Sequence, residues 1–303
     1  MIAITKRVRF YSELQSYPFG YGEEFSATVI LQWKISKIMS KLTTILFMHL
    51  TTLVAFAQAA DLKVCYHYRH YNPTGKEINS QMTLLVNNEE SKFFNILNEQ
   101  VDSMMVTPEG RMAYGQMVQA AMAKKDVANL PIKKEPMYVL KSRKDSLISV
   151  YDLVGADYWF YEEPLITQKW EISDSSKTIL GYECIKATCD YHGRHWTAWF
   201  SPEIPVQDGP WKLSRLPGLI LIAEDSTGQY SFVAEGIQNS TDIIRPIYGK
   251  NNYEKTNRIK YLQAMRAFTN NPMEYMKAST GSAITNIPKI EIDKSYDFLE
   301  TDY

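Results

Sequence analysis

Alternation of apolar and polar positions dominates the chain from Asp61 onward. In DLKVCYHYRHY, Val64, Tyr66 and Tyr68 share one side of a period-two pattern, which predicts a strand. SQMTLLV predicts a second strand, closed by an Asn-Asn turn, after which SKFF leads into helix. There the spacing changes. Phe93, Leu97, Val101 and Met105 recur every four positions, and Tyr114, Met117, Val118, Ala121 and Met122 repeat a helical stripe. The methionines of these helices read as core filler. Short strands return between Met137 and Ile237, in MYVLKSR, LISVYDLV, DYWFYEE, QKWEIS, ECIKATCDY, RHWTAWF, LILIAED and YSFVAEGI, separated by turn chemistry such as DSS, HG and STG. A last helix is written in YEKTNRIKYLQAMRAF, with Ile259, Leu262, Met265 and Ala267 or Phe268 as its stripe and Pro272 as its stop. From Gly281 to Tyr303 a loose C-terminal tail is expected.

These elements predict an α+β fold: a curved antiparallel sheet or open half-barrel with a few helices packed on one side. No biased linker or internal repeat divides residues 58–280, so they read as a single domain. The best-defined hairpin spans 183–200. With HG or GR as its two-residue turn, Ile185, Ala187 and Cys189 share a face with Trp196, Ala198 and Phe200, opposite Lys186, Thr188, Asp190, His195 and Thr197. DYWFYEE carries bulky rings on both faces, which calls for core on both sides or for a lined cavity. Proline or glycine recurs through SPEIPVQDGPW, so the chain from Phe200 to Leu219 should run irregularly, with Leu216-Pro217-Gly218 as the corner that re-enters the sheet.

The N-terminal region has a different character. From Met39, a lysine at 41, an apolar stretch from Leu42 to Phe56 and small residues at Ala55 and Ala57 follow the layout of a secretory signal peptide over 39–57, cut before Gln58, with a cut after Ala59 as the near alternative. The apolar core is short for a membrane span, which takes roughly twenty residues. Residues 1–38 then read as a mis-annotated extension upstream of the true start. An exported protein of the periplasm or outer-membrane surface, or a secreted one, is expected, with only peripheral membrane association. The composition is that of a soluble globular protein, 45% hydrophobic and 22% charged, and a net charge of −1 without a long basic run argues against nucleic acid as a partner.

Motifs of chemistry are sparse. His67 with His70 and His192 with His195 form two His-x-x-His pairs, but a zinc site needs three or four converging ligands, so they read as exposed turn histidines and no metal is expected. Glu162 and Glu163 point apart on one strand and read as a solvated edge. Gly-x-Ser-x-Gly, protease-type cysteine and phosphate-cradling signatures are missing, so no catalytic residue and no cofactor is assigned. Cys65, Cys184 and Cys189 are odd in number; unpaired packing is expected, and Cys65 with Cys184 is the conceivable bridge. A hydrolase would require groups such as Asp190, His195 and Glu203 to converge.

The segment from Glu183 to Phe232 resembles the GLPGLI family of exported Bacteroidetes proteins. The resemblance rests on Arg215-Leu216-Pro217-Gly218-Leu219-Ile220, with arginine for the first glycine, preceded by Lys186-Ala187-Thr188, Gly193-Arg194, Ala198-Trp199-Phe200, Glu203-Ile204-Pro205-Val206 and Gly209-Pro210-Trp211. It implies no catalytic residues. A looser resemblance, to lipoprotein-carrier half-barrels, implies a non-catalytic envelope protein binding a hydrophobic ligand or an envelope partner. Trp199, Trp211, Leu216, Pro217 and Leu219 are then the expected mouth or contact surface. The alternatives are an accessory or structural partner of an outer-membrane receptor, and a hydrolase with an unrecognised site.

Overall fold

Twelve strands form one sheet among the described residues. The structure, a computed structural model, describes residues 59–124, 133, 135–166, 168–280 and 291–303, with Ser36 and Met39; the extension and signal peptide expected over 1–57 otherwise lie outside the described residues. The chain divides into two units, Met1–Phe56 and Ala57–Tyr303, and the second carries everything that follows. Its strands are β1 (Leu62–Tyr71), β2 (Glu77–Val86), β3 (Glu90–Phe94), β4 (Tyr138–Ser142), β5 (Leu147–Val154), β6 (Asp157–Pro164), β7 (Glu171–Ile179), β8 (Tyr182–Tyr191), β9 (Arg194–Ser201), β10 (Leu219–Asp225), β11 (Tyr230–Asn239) and β12 (Glu254–Lys255). The helices are α1 (Ile96–Met105), α2 (Pro108–Ala123), α3 (Arg258–Asn270) and α4 (Pro272–Thr280).

The strand order is β12-β6-β5-β4-β3-β2-β1-β11-β10-β9-β8-β7, so two meanders meet where β1 pairs with β11. Pairing is antiparallel except between β12 and β6. The sheet does not close: β12 and β7 stand at its two ends. This is the α+β, open antiparallel arrangement expected from the alternation.

Val64, Tyr66 and Tyr68 of β1 are buried, as their shared side requires. The β8–β9 hairpin turns on His192-Gly193, both at positive φ, and aligns Ile185 with Phe200, Ala187 with Ala198 and Cys189 with Trp196. A Cβ on Gly193 would lie 2.1 Å from Thr301 Oγ1, so the turn is also the seat of the C-terminal residues. Cys65, Cys184 and Cys189 are all free. Both faces of β6 meet protein, although Tyr158 and Glu162 stay exposed. Tyr161 packs into the main core, whereas Phe160 stacks on Tyr151 and Tyr158 meets Tyr253 edge-on, in a second cluster closed by Ile244 and Ile247.

Several expectations need correction. SKFF forms β3 instead of leading into helix, because Asn95 caps α1 by accepting from the amides of Leu97 and Asn98; the four-residue spacing from Phe93 is a coincidence across a strand end. The methionines are not core filler: Met112, Met117 and Met122 are exposed, and α2 buries none of its residues. Helical periodicity marks an apolar stripe but says nothing about what covers it. DSS is no turn; it sits inside the exposed edge strand β7, where the register slips between Ile172 and Ser176. The tail is not loose over 291–303, where Phe298 and Glu300 are buried.

Between β9 and β10 the chain runs irregularly, as its prolines and glycines foretell, yet most of it is buried. Trp211 and Arg215 sit at φ 52° and 71°, a costly region for L-residues with bulky side chains. At Gly218, an added Cβ would meet the carbonyl oxygen of Ser201 at 2.1 Å, and backbone cannot yield as a side chain can. Leu-Pro-Gly therefore precedes the apolar run because β10 starts directly against the end of β9.

Trp211, Leu216 and Leu219 are buried in the core, Trp199 is half-buried beneath Lys177, and only Pro217 of the expected contact surface is exposed. Leu216→Ala should cost about 2–5 kcal/mol through the cavity it leaves, and Gly218→Ala about 1–3 kcal/mol through overpacking. Pro217→Ala should stay within about 1 kcal/mol. Denaturant unfolding of the three variants checks this, and a Leu216→Ala variant as stable as the wild type would return Leu216 to the surface.

Candidate functional site

Five segments bring charge together beside the β8–β9 turn. β6 supplies Glu163, the turn His192, the irregular segment Lys212, the start of α3 Arg258, and the C-terminal residues Glu300 and Asp302. Each is placed by a local cause. Glu163 follows the alternation of β6, Arg258 opens a helix capped by Asn257, and residues 297–301 are held by Arg194, whose guanidinium donates to the carbonyls of Asp297 and Phe298. Thr301 closes the contact by donating its amide to His192 O at 3.0 Å.

At the centre, the fully buried Lys212 Nζ lies 2.7 Å from Glu163 Oε1 and 2.7 Å from Glu300 Oε1, over the faces of Tyr161 and Trp211. Arg258 pairs with Glu300 and Asp302. His192 Nε2 is 3.4 Å from Glu163, and its Nδ1 is 3.4 Å from Asp302 and 3.8 Å from Glu300. Burial pushes the carboxyls of Glu163 and Glu300 up, but their neighbours win. His192 and Lys212 bring Glu163 below its ordinary value, and Lys212, His192 and Arg258 hold Glu300 at about 2.

The ligand atoms of Glu163, His192 and Glu300 all lie within 4.8 Å of one another, a spacing that could hold a metal ion. Lys212 already stands against both carboxylates, so the donor set fits an internal ion-pair network better than a metal centre. Two sequence expectations are corrected here: His192 is largely enclosed instead of an exposed turn histidine, and Glu163 is enclosed instead of part of a solvated edge. No spacing in the sequence pointed to the cluster; its central cation, Lys212, sits with Arg215 inside the otherwise largely apolar stretch WKLSRLPGLILI.

Of the groups named for a hydrolase, two converge. His195 Nδ1 lies 2.8 Å from Asp190 Oδ1 on the exposed face of the hairpin. Glu203 is engaged at the other end of the same hairpin, accepting from the amide of Glu183 at 2.7 Å. Asp152 forms a separate buried contact, accepting from Tyr261 of α3 at 2.6 Å, with burial raising its carboxyl to about 6. Among the described residues no helix is long and apolar enough to cross a membrane.

Glu300 sets a pH dependence with a definite sign. Its folded value of about 2 lies below the ordinary 4.5, so its contribution is present above about 4.5 and is lost as pH falls through about 2. Glu300→Gln should therefore be less stable than the wild type at pH 7, and the two thermal-unfolding curves should converge toward pH 2. Parallel curves from pH 7 to pH 2 would refute the assignment.

Of the comparisons with known proteins, the match to a family model places the chain. The family described as N-glycanase peptide, N-terminal domain (PNGase F-II) has a model that matches residues 97–262, more than half of the 303 residues. Two solved structures of PNGF-II, in space groups C2 and P21, are similar at 14% and 15% identity with TM-scores of 0.45 and 0.46. They align with 68% and 69% of this chain and with 32% and 33% of their own, so the chain spans about a third of their length. No curated protein matches. The resemblance to the GLPGLI family is thereby corrected, since the matched span takes in the whole segment on which it rested and no GLPGLI match accompanies it. A short motif of Leu, Pro, Gly and Ile is dictated by a strand start packed against a neighbouring carbonyl, and so it identifies a corner more than a lineage. On the match over residues 97–262, the chain belongs to the family of the N-terminal domain of N-glycanase peptide, PNGase F-II.

Proposed function

We propose that the protein acts as a hydrolase on N-glycosylated peptides or proteins, with the domain built on the open sheet receiving the glycosylated substrate. The single observation behind this reading is the match of residues 97–262 to the N-glycanase family. Two features of the fold support it. Three of the five residues expected to meet an apolar ligand are spent in the core, and the open face of the β8–β9 hairpin carries Lys186, Thr188, Asp190, His195 and Thr197 beside half-buried Trp199. The Asp190–His195 pair is the titratable pair on that face. The proposal also keeps the export suggested by Met39 to Ala57, to the periplasm, the outer-membrane surface or the medium.

Incubating the full chain with an N-glycosylated peptide and following the peptide mass should show loss of the whole glycan. An unchanged glycopeptide, under conditions where the protein remains folded, would sink the hydrolase reading. For export, the protein recovered from cell envelope or medium should begin at Gln58 when its N-terminus is sequenced.

A further inference from the structure

A cavity of about 270 Å³ opens beside the charged cluster. Its walls are the β8–β9 turn, the β10–β11 turn from Asp225 to Gln229, and the C-terminal segment around Ser295 and Asp297. That volume sits near the lower end of ligand pockets, about 300 Å³, enough for a small molecule. We propose that this cavity is a saccharide subsite taking one or two neutral sugar units. The inference deepens the N-glycan reading and rests on it for the identity of the sugar.

The walls are preformed. Asp225 accepts from Arg194 at 2.7 Å, from the amide of Tyr230 at 2.8 Å and from the amide of Thr227 at 3.2 Å, which fixes the β10–β11 turn. Arg194 then reaches across to Phe298 O and Asp297 O, and Gln229 donates to Ser295 O, which fixes the C-terminal wall. Little ordering is left to be done when a ligand enters, so weak polar contacts count.

The chemistry of the lining selects the ligand class by elimination. Hydroxyls, an amide, an imidazole and carboxylates line the cavity, so an apolar guest would leave polar groups dehydrated. An anion finds no open cation, because Arg194 is committed to Asp225, Thr227, Gln229 and two carbonyls. A metal ion finds Asp225 paired with Arg194, and Asp297 paired with Arg266 at 2.8 Å.

What remains suits vicinal hydroxyl groups. Asp190 holds His195 Nδ1, so Nε2 carries the ring's remaining hydrogen-bonding capacity, and His195 is part of the cavity lining. Asp297 uses Oδ1 for Arg266 and for the amide of Phe298, which leaves Oδ2 as an acceptor among the described residues. Ser226 is exposed at the rim and adds a hydroxyl that both donates and accepts.

The test uses the full chain, titrated by calorimetry with the disaccharide of N-acetylglucosamine and with a mannose disaccharide, inorganic phosphate and calcium chloride serving as controls. Saturable binding of at least one disaccharide, with neither control binding, is expected. Ser226→Trp, which fills the cavity from its rim, should weaken binding at least about tenfold, and His195→Ala should weaken it by a similar factor, the loss of one good hydrogen bond. Unchanged unfolding midpoints would show that both variants keep the fold. No saturable sugar binding, equal binding by Ser226→Trp, or competition by phosphate would overturn the subsite. The two proposals fail separately: glycan release by a protein whose Ser226→Trp variant still binds sugar sinks the subsite alone, whereas rim-dependent sugar binding without glycan release sinks the hydrolase alone.

Discussion

Burial of the irregular segment between β9 and β10 is the constraint on which the rest of the structure depends. A chain without ladder partners carries backbone carbonyls and amides that must be satisfied once water is excluded. Here side chains of the sheet and of the connection between β6 and β7 satisfy them. Lys141 of β4 donates to Gly209 O at 2.8 Å, Gln168 to Lys212 O at 3.1 Å, and Trp170 to Ser214 O at 2.9 Å. Tyr66 of β1 donates to Ile220 O at 2.6 Å, just inside β10. Buried Lys141 is in turn neutralised by Asp208 at 2.5 Å, and burial pushes its ammonium downward with Asp208 opposing. The segment and the sheet therefore define each other.

That dependence positions the charged cluster. Fixing the segment drives Trp211 and Lys212 into the interior, and a buried ammonium requires carboxylates. β6 and the C-terminal residues provide them, and Arg258 joins α3 to the same network. Seating the C-terminal residues on the β8–β9 turn then creates one wall of the polar cavity. Core, cluster and cavity form one causal sequence, running from a proline-rich stretch to a polar cavity at the surface.

The legible and the illegible parts differ in physical kind. Strands with one covered face, such as β1 and the β8–β9 pair, were readable because burial imposes a two-residue period, and the pairing of Cys189 with Trp196 follows from the turn. β7 was readable only in part, because an exposed edge puts no apolar period on its residues. The helix α2 shows the opposite failure, a clear stripe whose methionines stay exposed. Of the candidate site, Asp190 and His195 were visible as cross-strand neighbours, while Glu163, His192, Lys212, Arg258 and Glu300 were not brought together by any spacing.

By itself, then, the sequence determined the local elements: where strands alternate and where Pro and Gly force a corner at Leu216-Pro217-Gly218. Tertiary structure alone decided that this corner is buried, that Trp211, Leu216 and Leu219 are core instead of surface, and that an acid near the C-terminus meets a lysine from the middle of the chain. The reason is that backbone preference and periodicity act over a few residues. Desolvation acts wherever the folded chain happens to bring groups together.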